Sequence, residues 1–153
     1  MSAAVNHSRK SSPDDEIRVV EVDIPNDVAF IERVVELIRH ECEVMGFAPH
    51  QISLNVPVAL TEAVANAILR GNKDDPAKHV HVRAEVGPKK LVVEVGDEGG
   101  GFDLDASVID PTMPGNLDRE DGRGLFLMRK LMDTVERVNV PHGSVVRMTL
   151  RRA

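Results

Sequence analysis

The segment His79–Val86 alternates without a break, setting Val80, Val82, Ala84 and Val86 against His79, His81, Arg83 and Glu85. A period of two is the mark of a strand with one buried face. Gly87-Pro88-Lys89-Lys90 is turn chemistry, and residues 91–95 (LVVEV) return as a second strand. A hairpin apolar on one side only needs a second layer to cover that side. Helical stretches earlier and later in the chain can supply it.

Residues 17–24 (IRVVEVDI) place Val20, Val22 and Ile24 on one face, as in a strand. Pro25-Asn26-Asp27 ends that strand and can open a helix. Over 28–45, Ile31, Val34, Val35, Ile38 and Cys42 recur at helical spacing, and Gly46 supplies a stop. A second helix is predicted over 52–69, with Leu60, Val64, Ala67 and Ile68 apolar. Pro57 removes a donor there, so either the regular helix begins near Asn55 or it is kinked. A third helix is predicted over 124–133 with Leu127, Leu131 and Met132 apolar, and a last hairpin turns at Pro141-His142-Gly143. Its second strand sends Val146, Met148 and Leu150 inward and Arg147, Thr149 and Arg151 outward. The sum is an α+β fold, a two-layer α/β sandwich whose mixed, mainly antiparallel sheet carries helices on one face. Residues 1–16 are polar and aperiodic, as in a disordered tail. One domain is expected over 17–153, with an irregular, glycine- and proline-bearing lid at about 103–121.

Composition narrows the function. With no Trp or Tyr and four Phe, the core must come from Val, Ile, Leu, Ala and Met, and a base-stacking surface has no platform. A net charge of −6 opposes broad phosphate-backbone binding, so no direct nucleic-acid partner is expected. A single cysteine, Cys42, excludes an internal disulfide and a thiolate metal cluster. No apolar run approaches the ~18–20 residues of a membrane span, and the N-terminus lacks a secretion signal. No membrane role and a cytoplasmic location are the expectations.

Three short motifs carry chemistry. Glu62 and Asn66 are four apart on the second helix and project from one face, among the small Ala63, Ala65 and Ala67. Together they supply a proton acceptor and an oxygen ligand for a hard cation, although such a pair alone also suits a solvated face. Asp97-Glu98-Gly99-Gly100-Gly101 directly follows a strand. An aspartate facing a glycine-lined opening suits an amino-bearing base, while a flexible turn is the plainer alternative. Gly122-Arg123-Gly124-Leu125 opens a helix, where exposed amides and the dipole favour phosphate. Neither the P-loop nor the dinucleotide fingerprint is present. His79 and His81 share the outer side of one strand without a third metal ligand in view, so they belong to an exposed sheet face. Cys42 falls on an apolar helix face as an inert core residue.

In their order, these motifs resemble the GHKL, or Bergerat-fold, ATPases and kinases, and most of all the anti-sigma-factor serine kinases. TEAVANAILRGN is similar to the family's N box, VGDEGGGFD to its first glycine box, and DGRGLFLMRKLMD to its second. HGSVVRMTL is similar to the late Gly-Ser/Thr element, and the likeness spans about residues 17–151. Arg70 stands where relatives often carry His, Pro57 lies unusually near the N-box helix, and DREDG (118–122) is acidic beside the expected phosphates.

The resemblance implies ATP and Mg²⁺ as cofactors. Asp97 would accept the adenine amino group, and Ser144 would sit beneath the adenine and help to fix Asp97. Asn66 would hold Mg²⁺, and Gly99 and Gly101 would let the loop fold over the nucleotide. Gly122, Arg123 and Gly124, with Leu125 beside them, would meet the phosphates, and Glu62 would take the proton of a serine hydroxyl. The implied partners are an anti-anti-sigma-type substrate protein, a sigma factor and a second copy in a homodimer. The same pocket also suits a nucleotide-gated protein-binding regulator with little or no kinase activity. A histidine-kinase core would carry a dimerisation helix pair, for which residues before 17 leave no room. A gyrase-type ATPase would carry a transducer domain after the fold.

Overall fold

The computed structural model of the chain describes residues 2–8, 16–99 and 120–153. Its strands are β1 (Ser2–Ser8), β2 (Ile17–Pro25), β3 (His79–Val86), β4 (Lys90–Asp97), β5 (Thr134–Val140) and β6 (Gly143–Arg151). They form one sheet in the order β1-β2-β3-β4-β6-β5, and each described pairing is antiparallel. The helices are α1 (Ile31–Val44), α2 (Val56–Asn66) and α3 (Glu120–Leu131). This is the expected two-layer α+β sandwich, with the parallel component of a mixed sheet absent among the described strands.

Alternation places the sheet as the sequence demands. The inner face carries Val20, Val22 and Ile24, then Val80, Val82, Ala84 and Val86, then Leu91, Val93 and Val95, then Val146, Met148 and Leu150, all buried. Against them lie Ile31, Val34, Val35, Ile38 and Cys42 of α1 and Val56, Ala59, Leu60, Ala63 and Val64 of α2. Each fully buried Val, Ile or Leu stabilises the fold by roughly 1.5–3 kcal/mol. Arg18 of β2 donates through Nε to the buried Glu41 of α1, pinning the first helix across the sheet. Asp27 caps the 3₁₀ turn Val28–Phe30 by accepting from the Ala29 N–H at 2.9 Å, and Gly46 at φ 81° ends α1.

Around Pro57 the helix resolves in favour of a late regular start. A π-helical turn, Gln51–Asn55, leads into α2 at Val56, so Pro57 occupies the first turn. The preceding π turn widens the helix, its Val56 N–H bonding five residues back to the Gln51 carbonyl, and this local widening accommodates the proline ring and its missing N–H. A second π turn, Ala67–Gly71, extends the far end. By length and composition the helical stretch Gln51–Gly71 could cross a bilayer, contrary to the expectation that no apolar run is long enough. Its apolar residues Val56, Ala59, Leu60, Ala63, Val64, Ala67 and Ile68 are instead the centre of the core.

Two expectations are corrected. Ser2–Ser8 falls within the expected tail, yet it pairs with β2 along its whole length. Such an edge strand is held by main-chain hydrogen bonds, and the exposed Ala3, Ala4 and Val5 leave no burial pattern to detect. The third helix begins at Glu120 rather than Gly124 and buries Leu125, Met128 and Met132, while Leu127 is 37% exposed. Leu125 and Met128, with Met132 just past the helix end, form the face that joins the core, chiefly against α2.

Candidate functional site

The site forms where β4 ends. Asp97 lies opposite Ser144 in the β4–β6 register, and only 8% of it is exposed. Its Oδ1 accepts from the Gly99 N–H at 3.0 Å and the Ser144 N–H at 3.2 Å, and its Oδ2 accepts from the Ser144 hydroxyl at 2.7 Å. A carboxylate oxygen has room for two donors, so Oδ2 retains a lone pair for an incoming N–H. The Ser144 contact expected to fix Asp97 is thus present.

Three glycines make that burial possible by packing their backbones against the aspartate. A Cβ on Gly71 would stand 2.1 Å from Asp97 Oδ2, and one on Gly143 would stand 1.9 Å from the Asp97 carbonyl oxygen. A Cβ on Gly99 would lie 1.7 Å from the carbonyl oxygen of Gly71. Gly71 ends the helix that carries Glu62 and Asn66, so the N-box helix abuts the aspartate directly.

Glu62 and Asn66 are both half-buried on α2, one helical turn apart. Neither has a hydrogen-bond or ion-pair partner among the described residues. Because α3 starts at Glu120, only Gly122 of the three keeps a main-chain N–H without a helical acceptor, while those of Arg123 and Gly124 have acceptors one turn back, and the Arg123 side chain lies outside the described set. Leu125, expected beside the phosphates, has its side chain in the hydrophobic core at 3% exposure. Gly101 and most of the 103–121 lid lie outside the described residues.

Other candidates settle into structural roles. His79 and His81 lie on the outer face, His81 beside Asp23 at 3.2 Å and both histidines 3.6 Å from the Glu98 carboxylate. No group of three or more metal-binding side chains occurs among the described residues. Burial pushes the Cys42 thiol up to about 12, with Glu41 adding to the shift, which fits an inert core residue. A depression of about 440 Å³ on the open sheet face, lined by Glu21, Asp23, His81, Arg83 and Glu94, shares no residue with the Asp97 cluster.

The structure also brings in residues that sequence inspection passed over. Asn72 and Asn26 are buried polar side chains hydrogen-bonded to each other at 3.0 Å. A Gly-Asn pair at the end of an apolar helix has the look of an ordinary C-cap, so only the three-dimensional neighbours reveal them.

A buried aspartate ringed by glycine backbone, with a serine locking it and a Glu/Asn helix abutting it, is chemically suited to a donor-bearing ligand such as a nucleotide base. The family comparison agrees: the model of the histidine kinase-like ATPase domain matches residues 24–150. The chain belongs to that family. Within it, the chain is 33% identical over 135 residues to the serine-protein kinase RsbW of Bacillus subtilis (strain 168), covering 85% of this chain and 83% of the relative. It is 36% identical over 110 residues to the serine-protein kinase RsbW of Bacillus licheniformis, covering 69% and 68%. The anti-sigma F factor of Thermoanaerobacter sp. (strain X514) is 31% identical over 97 residues, covering 62% and 67%. These relatives place it in the anti-sigma kinase branch of the histidine kinase-like ATPases.

Proposed function

We propose that this protein is an ATP-dependent serine kinase and anti-sigma factor that phosphorylates an anti-anti-sigma-type protein in a partner-switching pathway. The observation that carries the reading is the prebuilt Asp97 carboxylate, buried and locked by three donors with one lone pair of Oδ2 left over. That lone pair suits the exocyclic amino group of adenine, which is a donor. The matching family and the kinase names of the relatives support the same conclusion.

The chemistry follows from the placement of the remaining groups. The serine oxygen of the substrate protein attacks the γ-phosphorus, the bond from that phosphorus to the β–γ bridging oxygen breaks, and ADP leaves. Glu62, uncommitted and half-buried, accepts the proton of the serine hydroxyl. The acceptor-free Gly122 N–H in the first turn of α3, with Arg123 and Gly124 beside it at the positive end of the helix, stabilises phosphate charge. Gly99 keeps the loop backbone close to the base, and Gly101 is assigned the same duty.

Mg²⁺ fits this donor set through the Asn66 carboxamide, since the ion takes few protein ligands and completes its shell with water and phosphate oxygens. When bound it neutralises charge on the transferred phosphoryl group. The cytoplasmic location, the sigma-factor partner and a homodimer belong to the same proposal.

The test is direct. Purified protein is incubated with γ-labelled ATP and a cognate small antagonist protein carrying the acceptor serine. Transfer of label to that serine is the expected result, and ATP binding without any transfer would overturn the kinase assignment.

A further inference from the structure

Asn72 is fully buried, follows directly on the last turn of the catalytic helix, and makes contacts that none of the three motifs explains. Its Oδ1 accepts from the Glu98 N–H at 2.7 Å. Its Nδ2 donates to the His79 carbonyl at 2.9 Å and to Asn26 Oδ1 at 3.0 Å. Asn26, at the end of β2, donates in turn to the carbonyls of Asp75 at 3.0 Å and Ile68 at 3.4 Å. One side chain therefore joins the helix end, the start of β3 and the exit of β4, and Asn26 braces it from β2.

The chain pays a conformational cost for this arrangement. Lys73 at φ 51° and Asp74 at φ 58° both take the left-handed region, which costs non-glycine residues roughly 1–2 kcal/mol each. The Asp74 N–H is tied to the Ile68 carbonyl at 2.9 Å and the Asp75 N–H to the Asn72 carbonyl at 3.0 Å. The turn is thus bent sharply while Asn72 keeps its carboxamide under β4.

Glu98 is the residue between Asp97 and Gly99, and Gly99 donates back to Asp97 Oδ1. Fixing the Glu98 N–H fixes the plane of the Asp97–Glu98 peptide, and with it the direction in which the Asp97 carboxylate faces. The Gly71 backbone packs on the same carboxylate, so helix end and loop are coupled by packing as well as by hydrogen bonding.

We infer that Asn72 is a positioning residue for nucleotide recognition: it holds the Asp97–Gly99 loop at a fixed place relative to the helix bearing Glu62 and Asn66. This rests on the nucleotide reading above. Asn26 has a different part. Because the His79 carbonyl already holds one Nδ2 hydrogen, Asn72 keeps its orientation without Asn26, which mainly anchors the helix end.

The experiment compares Asn72→Ala with Asn26→Ala, each measured at a temperature where thermal melting shows it fully folded. Both are expected to lower the melting temperature. ATP affinity is expected to weaken about tenfold in Asn72→Ala and less than about twofold in Asn26→Ala, because only the first leaves the Glu98 N–H without its acceptor. Asn72→Asp retains that acceptor while losing both donors, so it should bind ATP better than Asn72→Ala despite equal or greater loss of stability. A purely structural role would make affinity follow stability through all three variants, and that ordering would overturn the inference. If Asn72→Ala does not fold, amide hydrogen exchange in wild-type protein without nucleotide decides. Protection at Glu98 supports the inference, and exchange at the unprotected rate overturns it. A wild type that binds no ATP would instead sink the nucleotide reading, whatever the exchange shows at Glu98.

Discussion

Two carboxylates of this protein are built in opposite ways. Asp97 is 8% exposed, accepts three hydrogen bonds and is pressed on by the backbones of Gly71 and Gly143. Glu62 sits half-buried on α2 with no polar partner among the described residues. Under the proposed function the first has only to recognise, and its three hydrogen bonds fix its orientation before any ligand arrives. Under the same proposal the second would have to gain a proton, and permanent donors would oppose that by stabilising its charged form. On that proposal, rigidity is placed where the ligand would not change and withheld where chemistry would occur.

This contrast breaks most easily at Glu62. Glu62→Gln keeps the size and polarity of the side chain but removes its basicity. Phosphoryl transfer is expected to fall by about 10²–10⁴-fold while ATP affinity stays within about twofold. Single-turnover transfer and fluorescent-nucleotide titration separate the two. A parallel loss of affinity would show that Glu62 belongs to recognition, and the division of labour would collapse. Asp97→Asn is the mirror experiment. The Ser144 hydroxyl can rotate to meet the new amide, so the fold should survive, but an N–H₂ can then face the adenine amino group. ATP affinity should drop on the order of 100-fold, with transfer at saturating ATP changed far less.

The fold was largely legible because burial writes itself into sequence. Alternation found β2, β3, β4 and β6, and helical spacing found α1 and the centre of α2. The misses have two causes, a strand whose stabilisation leaves no side-chain pattern and a helix start hidden in a polar run. β1 is held by its main-chain ladder, and the apolar face of α3 was drawn through Leu127 because its true start at Glu120 lies in an acidic stretch. In the site, Asp97 and Ser144 were legible as motif positions, and their pairing follows from the β4–β6 register. Gly71, Asn72 and Asn26 were not, since a close backbone approach and a buried carboxamide pair depend on which distant segments meet. Cys42 was legible as core, and burial raises its thiol as that position requires.

A finer test divides the recognition half itself. Ser144→Ala removes the hydroxyl donor to Asp97 Oδ2 but leaves the Ser144 and Gly99 N–H groups on Oδ1. One buried hydrogen bond to a charged group is worth about 1.5–3 kcal/mol, and a partly free carboxylate recovers some of that from water or ligand. A loss of ATP affinity of about five- to tenfold is expected, well short of Asp97→Asn. Equal losses would mean that the hydroxyl, rather than the carboxylate, is the recognition element.

The smallest effect lies just outside the pocket, where Glu98 clasps the start of β3. Its carboxyl is held below the ordinary value of 4.5, first by the His79 N–H it accepts at 2.5 Å, with the His81 side chain adding to the shift and burial opposing it. A carboxylate whose folded pKa is depressed contributes stability that is present above its unfolded value. That contribution is lost as pH falls through the folded value. Wild type should therefore lose slightly more stability than Glu98→Gln as pH drops below 4.5. The Glu98 side chain is 41% exposed, so solvent screening limits the difference to about 0.3 kcal/mol. Urea midpoints measured across that range are sensitive enough to resolve it. Because the Asn72 contact uses the Glu98 main chain and not its carboxylate, ATP affinity should be indifferent to this substitution. A loss of affinity in Glu98→Gln would move the recognition boundary outward, from the buried carboxamide to the surface clasp.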